Sequence, residues 1–133
     1  MQGLLKSNLV HMLVGFLLMG GWALFANRSH GLSAAWAPAL VQGLLSAILT
    51  GLIKRALEAM SGRTPAGLAY ILPPLVTATS VLTVLVLAHL AVGTPELLAT
   101  IAVPWSVSTT YAFIYNAALV RGARRQDLPS EGP

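Results

Sequence analysis

The chain has no cysteine, so disulfides, thiol chemistry and cysteine-ligated metals are excluded. Charge is almost as scarce, at 9% of 133 residues against about a quarter in soluble proteins. There are four acids, Glu58, Glu96, Asp127 and Glu131, and all fall outside the apolar runs. No carboxylate therefore sits where proton-coupled cation efflux or an intramembrane proton relay would place one. Paired carboxylates, a serine with a histidine at the same depth, and a metal constellation are likewise missing, so the expectation is that the chain is not an enzyme and holds no metal or cofactor. The eight basic residues are not gathered into an arm interleaved with aromatics, which argues against nucleic acid.

What is present is apolar length. Fifty-six per cent of the residues are hydrophobic, gathered in four long runs. The expected fold is all-α: a polytopic membrane protein, residues 1–121, with transmembrane helices over 8–26, 34–55, 66–92 and 95–120 in two tandem antiparallel hairpins. A disordered cytoplasmic tail is expected over 122–133. The first run follows Lys6 as a signal peptide would, but Phe25-Ala26-Asn27-Arg28 lacks a small-x-small cleavage pattern, so it is read as a retained helix. Ser33 is the expected N-cap of the second helix and Thr64, followed by Pro65, that of the third. Pro73-Pro74 should kink or interrupt the third helix near its start. Gly93-Thr94-Pro95-Glu96 reads as a tight helix hairpin, with a C-terminal glycine, an N-cap threonine and a first-turn proline. Lys54 and Glu58 are spaced for an interfacial pair.

Seven of the eight basic residues, Lys6, Lys54, Arg55, Arg63, Arg121, Arg124 and Arg125, fall on one side of a four-span arrangement, and Arg28 falls on the other. Both termini are thus expected in the cytoplasm, with Trp22 and Trp36 at the outer interface of a cell inner membrane. A shift of 66 residues aligns Leu24 with Leu90, Pro38 with Pro104, Ile48 with Ile114 and Arg55 with Arg121 without a gap, consistent with a tandem duplication.

The second and fourth runs carry polar groups at bilayer depth, where each needs a partner. Gln42, Ser46 and Thr50 share one helical face, and Ser106, Ser108, Thr109, Thr110, Tyr111, Tyr115 and Asn116 lie in the fourth run. With Thr79, Ser80 and Thr83 they could line a polar path; alternatively they are simply interhelical hydrogen bonds. Gly43, Ala47 and Gly51 form a small-residue ridge for close packing. His89 could meet an anionic head group or bond a neighbouring hydroxyl. Arg28 with His30 is a candidate outer phosphate site, and Arg55 with Arg121 a candidate inner one. His11 is placed at the opposite end from His30 and His89, too far for a shared metal.

Val14-Gly15, Gly31-Leu32-Ser33 and Phe113-Ile114-Tyr115-Asn116 resemble features of the GtrA-like family of small four-helix membrane proteins, although Ala117-Ala118 stand where basic and aromatic residues are usual. The resemblance implies a part in moving a polyprenyl-phosphate sugar across the membrane, or in assisting the enzymes that use it, during cell-envelope glycan synthesis. The other expectation is a non-transporting accessory subunit. A bundle this small also points to a homo-oligomer or a larger membrane partner.

Overall fold

The computed structural model describes residues 2–127, with the side chains of 4 and 5 excepted. It is all-helical: α1 spans Gln2–Ala26, α2 Leu32–Met60, α3 Leu72–Ala91 and α4 Leu97–Gln126, with a 3-10 turn at Arg28–His30. All four helices are long and apolar enough to cross a membrane. Their packing is compatible with a multi-pass membrane protein. Leu17, Leu18, Leu87, Leu98 and Ile114 each leave 59% or more of their surface outside the bundle. The enclosed core is only a small cluster of Ile53, Leu57, Val81, Leu85, Ile101 and Ala112. Water would penalise that outward apolar surface, whereas hydrocarbon would not.

Several boundaries differ from expectation, each for a local reason. The third helix begins at Leu72, because Pro73 and Pro74 occupy its first turn, where no backbone donor is needed. They therefore interrupt the expected 66–92 run and set the helix start, without kinking the helix that follows. Thr64 is no N-cap: its hydroxyl donates to the Met60 carbonyl at 3.2 Å, and the chain from Ala66 to Ile71 is turn. Ser33 lies inside α2, whose cap position is Gly31 at φ 85°, a conformation that favours glycine. The 93–96 connection keeps its glycine but not its threonine cap. Gly93 at φ 67° ends α3 in a Schellman arrangement, with Thr94 N donating to His89 O (3.0 Å) and Gly93 N to Leu90 O (3.1 Å). α4 then starts only at Leu97.

α2 and α4 continue five and six residues beyond their expected ends at Arg55 and 120. Glu58 is consequently helical and accepts a hydrogen bond from Tyr115 Oη at 2.6 Å, linking α2 to α4, and makes no pair with Lys54 among the described residues. Gly122 to Gln126, expected in a disordered tail, are the last turns of α4; residues 128–133 of that tail lie outside the described residues.

α1 packs chiefly on α2, and α3 on α4; α2 touches both α3 and α4, α4 touches α1, and α1 and α3 do not meet. The α1–α2 seam is set by glycines. A Cβ on Gly20 would lie 2.9 Å from the Ala39 carbonyl oxygen, and one on Gly43 2.8 Å from the Phe16 ring and 3.0 Å from the Phe16 carbonyl. Ala47 is half-buried, but a Cβ on Gly51 would meet nothing within 4 Å, so the expected ridge is a contact only at its Gly43 end. Gly20→Val and Gly43→Leu should each cost about 1–3 kcal/mol, because backbone would have to move. Gly51→Leu should leave thermal stability in detergent unchanged; a large loss from Gly51→Leu would contradict this seam.

Candidate functional site

The polar side chains divide between two ends of the bundle. At the end carrying the 27–31 and 92–96 connections, Asn27 and Thr100 are fully enclosed. Asn27 Nδ2 donates to Thr100 Oγ1 (2.8 Å) and to Ala23 O (2.9 Å). Its Oδ1 accepts from the backbone N–H of Glu96 (2.9 Å), the residue before α4. The first helix pair thereby supplies the cap that α4 lacks locally. His30 Nε2 meets Glu96 Oε1 at 2.8 Å, with side chains 42% and 46% exposed, so this pair contributes at most about 1 kcal/mol. Trp22 Nε1 donates to Ala99 O (2.9 Å).

One turn deeper, Gln42 and His89 are fully buried against each other. The Gln42 Oε1 to His89 Nε2 distance is 2.9 Å, and His89 Nδ1 lies 2.8 Å from Thr94 Oγ1. Gln42 Nε2 donates to Ser46 Oγ (2.9 Å). These partners assign the tautomer: Nε2–H donates to the amide oxygen and Nδ1 accepts from the hydroxyl. Both polar atoms of the Gln42 amide are engaged, the nitrogen through one of its two hydrogens, and Gln42 also borders the cavity beneath.

Below it lies a half-open cavity of about 220 Å³, lined from all four helices by Gly15, Ser46, Val81, Pro104, Val107 and Tyr111 among others. Its wall is almost wholly carbon. The expected stripe of Gln42, Ser46 and Thr50 does line the cavity, but its hydroxyls are engaged locally: Ser46 Oγ accepts from Gln42, and the Thr50 hydroxyl bonds back to the Ser46 carbonyl (2.7 Å). Thr79, Ser80 and Thr83 likewise donate to carbonyls four residues back, on the exposed face of α3, and line no path. Thr109 Oγ1 is buried and has no partner among the described residues.

The opposite end carries the basic residues. Arg55 and Arg121 are exposed on α2 and α4. Asn116 is buried there, its Nδ2 donating to Ala69 O (2.9 Å) and Tyr70 O (3.2 Å) and so holding the 65–71 turn against α4.

The structure thus joins Gln42 to His89, and places His30, Asn116, Arg55 and Arg121 apart from them. Arg28 and His30 do not converge. The Arg28 guanidinium donates to Phe25 O (2.7 Å) and sits 3.7 Å over the Phe25 ring, while His30 turns to Glu96. No cluster of three or more metal-ligating side chains occurs among the described residues. Asn27, Thr94, Glu96 and Thr100 were not legible as partners, although His30 and Glu96 stand at the 66-residue offset found in the sequence. The geometry offers a half-open apolar cleft beside a buried polar network, and no family model, curated protein or solved structure matches the chain.

Proposed function

We propose that this chain is a small multi-pass protein of the cell inner membrane that engages a lipid-linked substrate, of the polyprenyl-phosphate sugar class, during cell-envelope glycan synthesis. The observation that carries this reading is the half-open cleft of about 220 Å³ with its carbon wall, which suits a hydrocarbon chain and not a free sugar. Arg121 lies ten residues beyond Tyr111 of the cleft, about 15 Å along α4, and Arg55 is two residues beyond Ile53 on α2. A phosphate whose chain lay in the cleft would meet the Arg55 guanidinium first, with Arg121 further toward the basic end. The resemblance to the GtrA-like family supports the same substrate class. Two tandem antiparallel hairpins related by a twofold axis fit the contact pattern, since exchanging α1–α2 with α3–α4 turns the α1–α4 contact into the α3–α2 contact.

A cell-based glycosylation assay tests the reading. Val107→Trp, on the exposed rim of the cleft, and the double change Arg55→Gln with Arg121→Gln should each lower activity more than tenfold with insertion intact. Full activity in both would overturn the proposal. On orientation, seven of the eight basic residues lie at one end, so both termini are cytoplasmic in this reading. Reporter fusions at Ser29 and at Pro133 should report opposite sides, and a periplasmic signal from Pro133 would contradict it.

A second reading has its own support. Gln42, His89, Asn27 and Thr100 bond within the chain, as expected of a non-transporting accessory subunit whose polar groups specify its own packing. Extraction in native lipid discs followed by mass spectrometry separates the two. Enriched polyprenyl phosphate supports lipid handling, and a stoichiometric membrane-protein partner supports the accessory role.

A further inference from the structure

We propose that the mid-bundle cleft is a side portal: it opens between α1 and α4 into the hydrocarbon of the bilayer, admits one chain of a membrane lipid sideways, and is kept open by Gly15. The inference rests on the reading of the cleft as a lipid-chain site, and adds the entry route and the residue that sets its width.

The lining residues locate the mouth. Ile53 of α2, Val81 and Leu85 of α3 and Pro104 of α4 are buried and form the floor. The exposed lining residues are Thr50 on α2 and Val107 and Tyr111 on α4, and α1 contributes only the half-buried Gly15 and Met19. The rim thus runs from α1 and Thr50 to α4. Among the described residues, the side-chain hydrogen bonds that tie the first helix to the fourth all lie at the turn end, from Trp22 Nε1 to Ala99 O (2.9 Å) and from Asn27, just beyond α1, to Thr100 Oγ1 (2.8 Å). Below that tie every described α1 residue from 6 to 14 is exposed.

Depth decides what the mouth faces. Pro104 to Tyr111 lie about 10–21 Å from the start of α4, and Met19 and Gly15 lie about 10 and 16 Å from the end of α1. With about 30 Å of hydrocarbon to cross, the mouth meets lipid chains and not water. A wall almost wholly of carbon also holds water poorly, because an enclosed water needs about two to four polar partners. A helix from a second copy does not fit either. A cylinder 10 Å across takes about 400 Å³ for each 5.4 Å turn, against about 220 Å³ in the cleft.

Gly15 differs from the seam glycines. A Cβ at Gly20 or Gly43 would lie 2.9 or 2.8 Å from a neighbour, whereas one at Gly15 would make ordinary contacts at 3.9 Å with Ser46 O and 4.0 Å with Thr50 Oγ1. α1 therefore reaches α2 without needing a glycine at 15. Ser46 and Thr50 themselves line the cleft, so a larger side chain at 15 takes its space from the mouth.

The test uses the full chain in phosphatidylcholine vesicles whose lipid carries a photoreactive diazirine midway along one acyl chain, with adducts mapped by mass spectrometry. Met19, Val107 and Tyr111 should be labelled at least fivefold more than the outward Leu87 and Ile114. Gly15→Leu should remove that excess and leave Leu87 and Ile114 labelled as before, a pattern that loss of folding cannot mimic; Gly15→Ala should fall between, with SDS unfolding unchanged. Because the chain has no cysteine, Val107→Cys gives a single thiol, expected to resist a membrane-impermeant maleimide. Cleft labelling no higher than at Leu87, an undiminished excess in Gly15→Leu, or rapid maleimide reaction would each overturn the portal. Cleft labelling together with full glycosylation activity in the Arg55 and Arg121 double variant would support the portal and end the polyprenyl-phosphate reading, whereas lost activity in that variant without cleft labelling would overturn the portal alone.

Discussion

Asn27→Leu is expected to cost about 2–3 kcal/mol and to loosen the first helix pair from the second, the largest loss for any single side chain at the turn end. Three hydrogen bonds disappear together: to Ala23 O, to Thr100 Oγ1 and from Glu96 N. The last leaves a helix-initiating N–H without its cap, since α4 has no side-chain cap bond of its own. A single interhelical hydrogen bond in a membrane protein averages about 0.6 kcal/mol, so one bond alone could not produce such a loss. The estimate rests on losing several bonds at once and leaving enclosed groups unpaired. Asn27→Asp keeps the acceptor for Glu96 N but cannot donate to Thr100 or Ala23, and should lie between wild type and Asn27→Leu. Unfolding by SDS titration, followed by circular dichroism, gives the comparison; a loss below about 0.5 kcal/mol for Asn27→Leu would show that the cap comes from water instead.

The second large effect is a non-additive one. Gln42→Leu strands the His89 N–H, and His89→Leu strands the Gln42 carbonyl, in a site where both residues are fully buried. Each single change should cost about 1–2 kcal/mol. The double change removes donor and acceptor together and replaces them with apolar groups, so it should cost clearly less than the sum, with a coupling of about 1 kcal/mol in a double-mutant cycle. Strict additivity would mean that the two side chains do not bond to each other. Because Gln42 is committed to His89 and Ser46, the same cycle separates a stability role from a transport role. A solute-lining glutamine would show lost activity without coupling to His89.

The four apolar runs, their polar interruptions and the concentration of basic residues at one end were readable residue by residue, because span length and topology depend on local composition. Glycine at 93 was readable for the same reason, since the left-handed turn it makes needs no distant partner. Helix starts were less legible. Thr64, Ser33 and Thr94 each looked like caps, yet Thr64 bonds back to Met60, Ser33 sits within α2, and Thr94 serves His89. A hydroxyl at a helix boundary has several satisfactory partners, and only the assembled neighbours choose among them.

What the sequence by itself determined is the helical class, the number of spans and the end at which charge collects, all consequences of hydropathy summed over short windows. Which polar groups pair was decided by the tertiary structure. Gln42 with His89, Asn27 with Thr100 and Glu96, Tyr115 with Glu58, and Asn116 with the 69–70 carbonyls join residues 46 to 73 positions apart. The physical reason is that, in the bilayer with which these four apolar helices are compatible, no apolar driving force acts between helices, so their facing is set by close backbone approach at Gly20 and Gly43 and by directional hydrogen bonds. Those depend on rotation and depth of one helix against another, and neither is encoded in the spacing along a single helix.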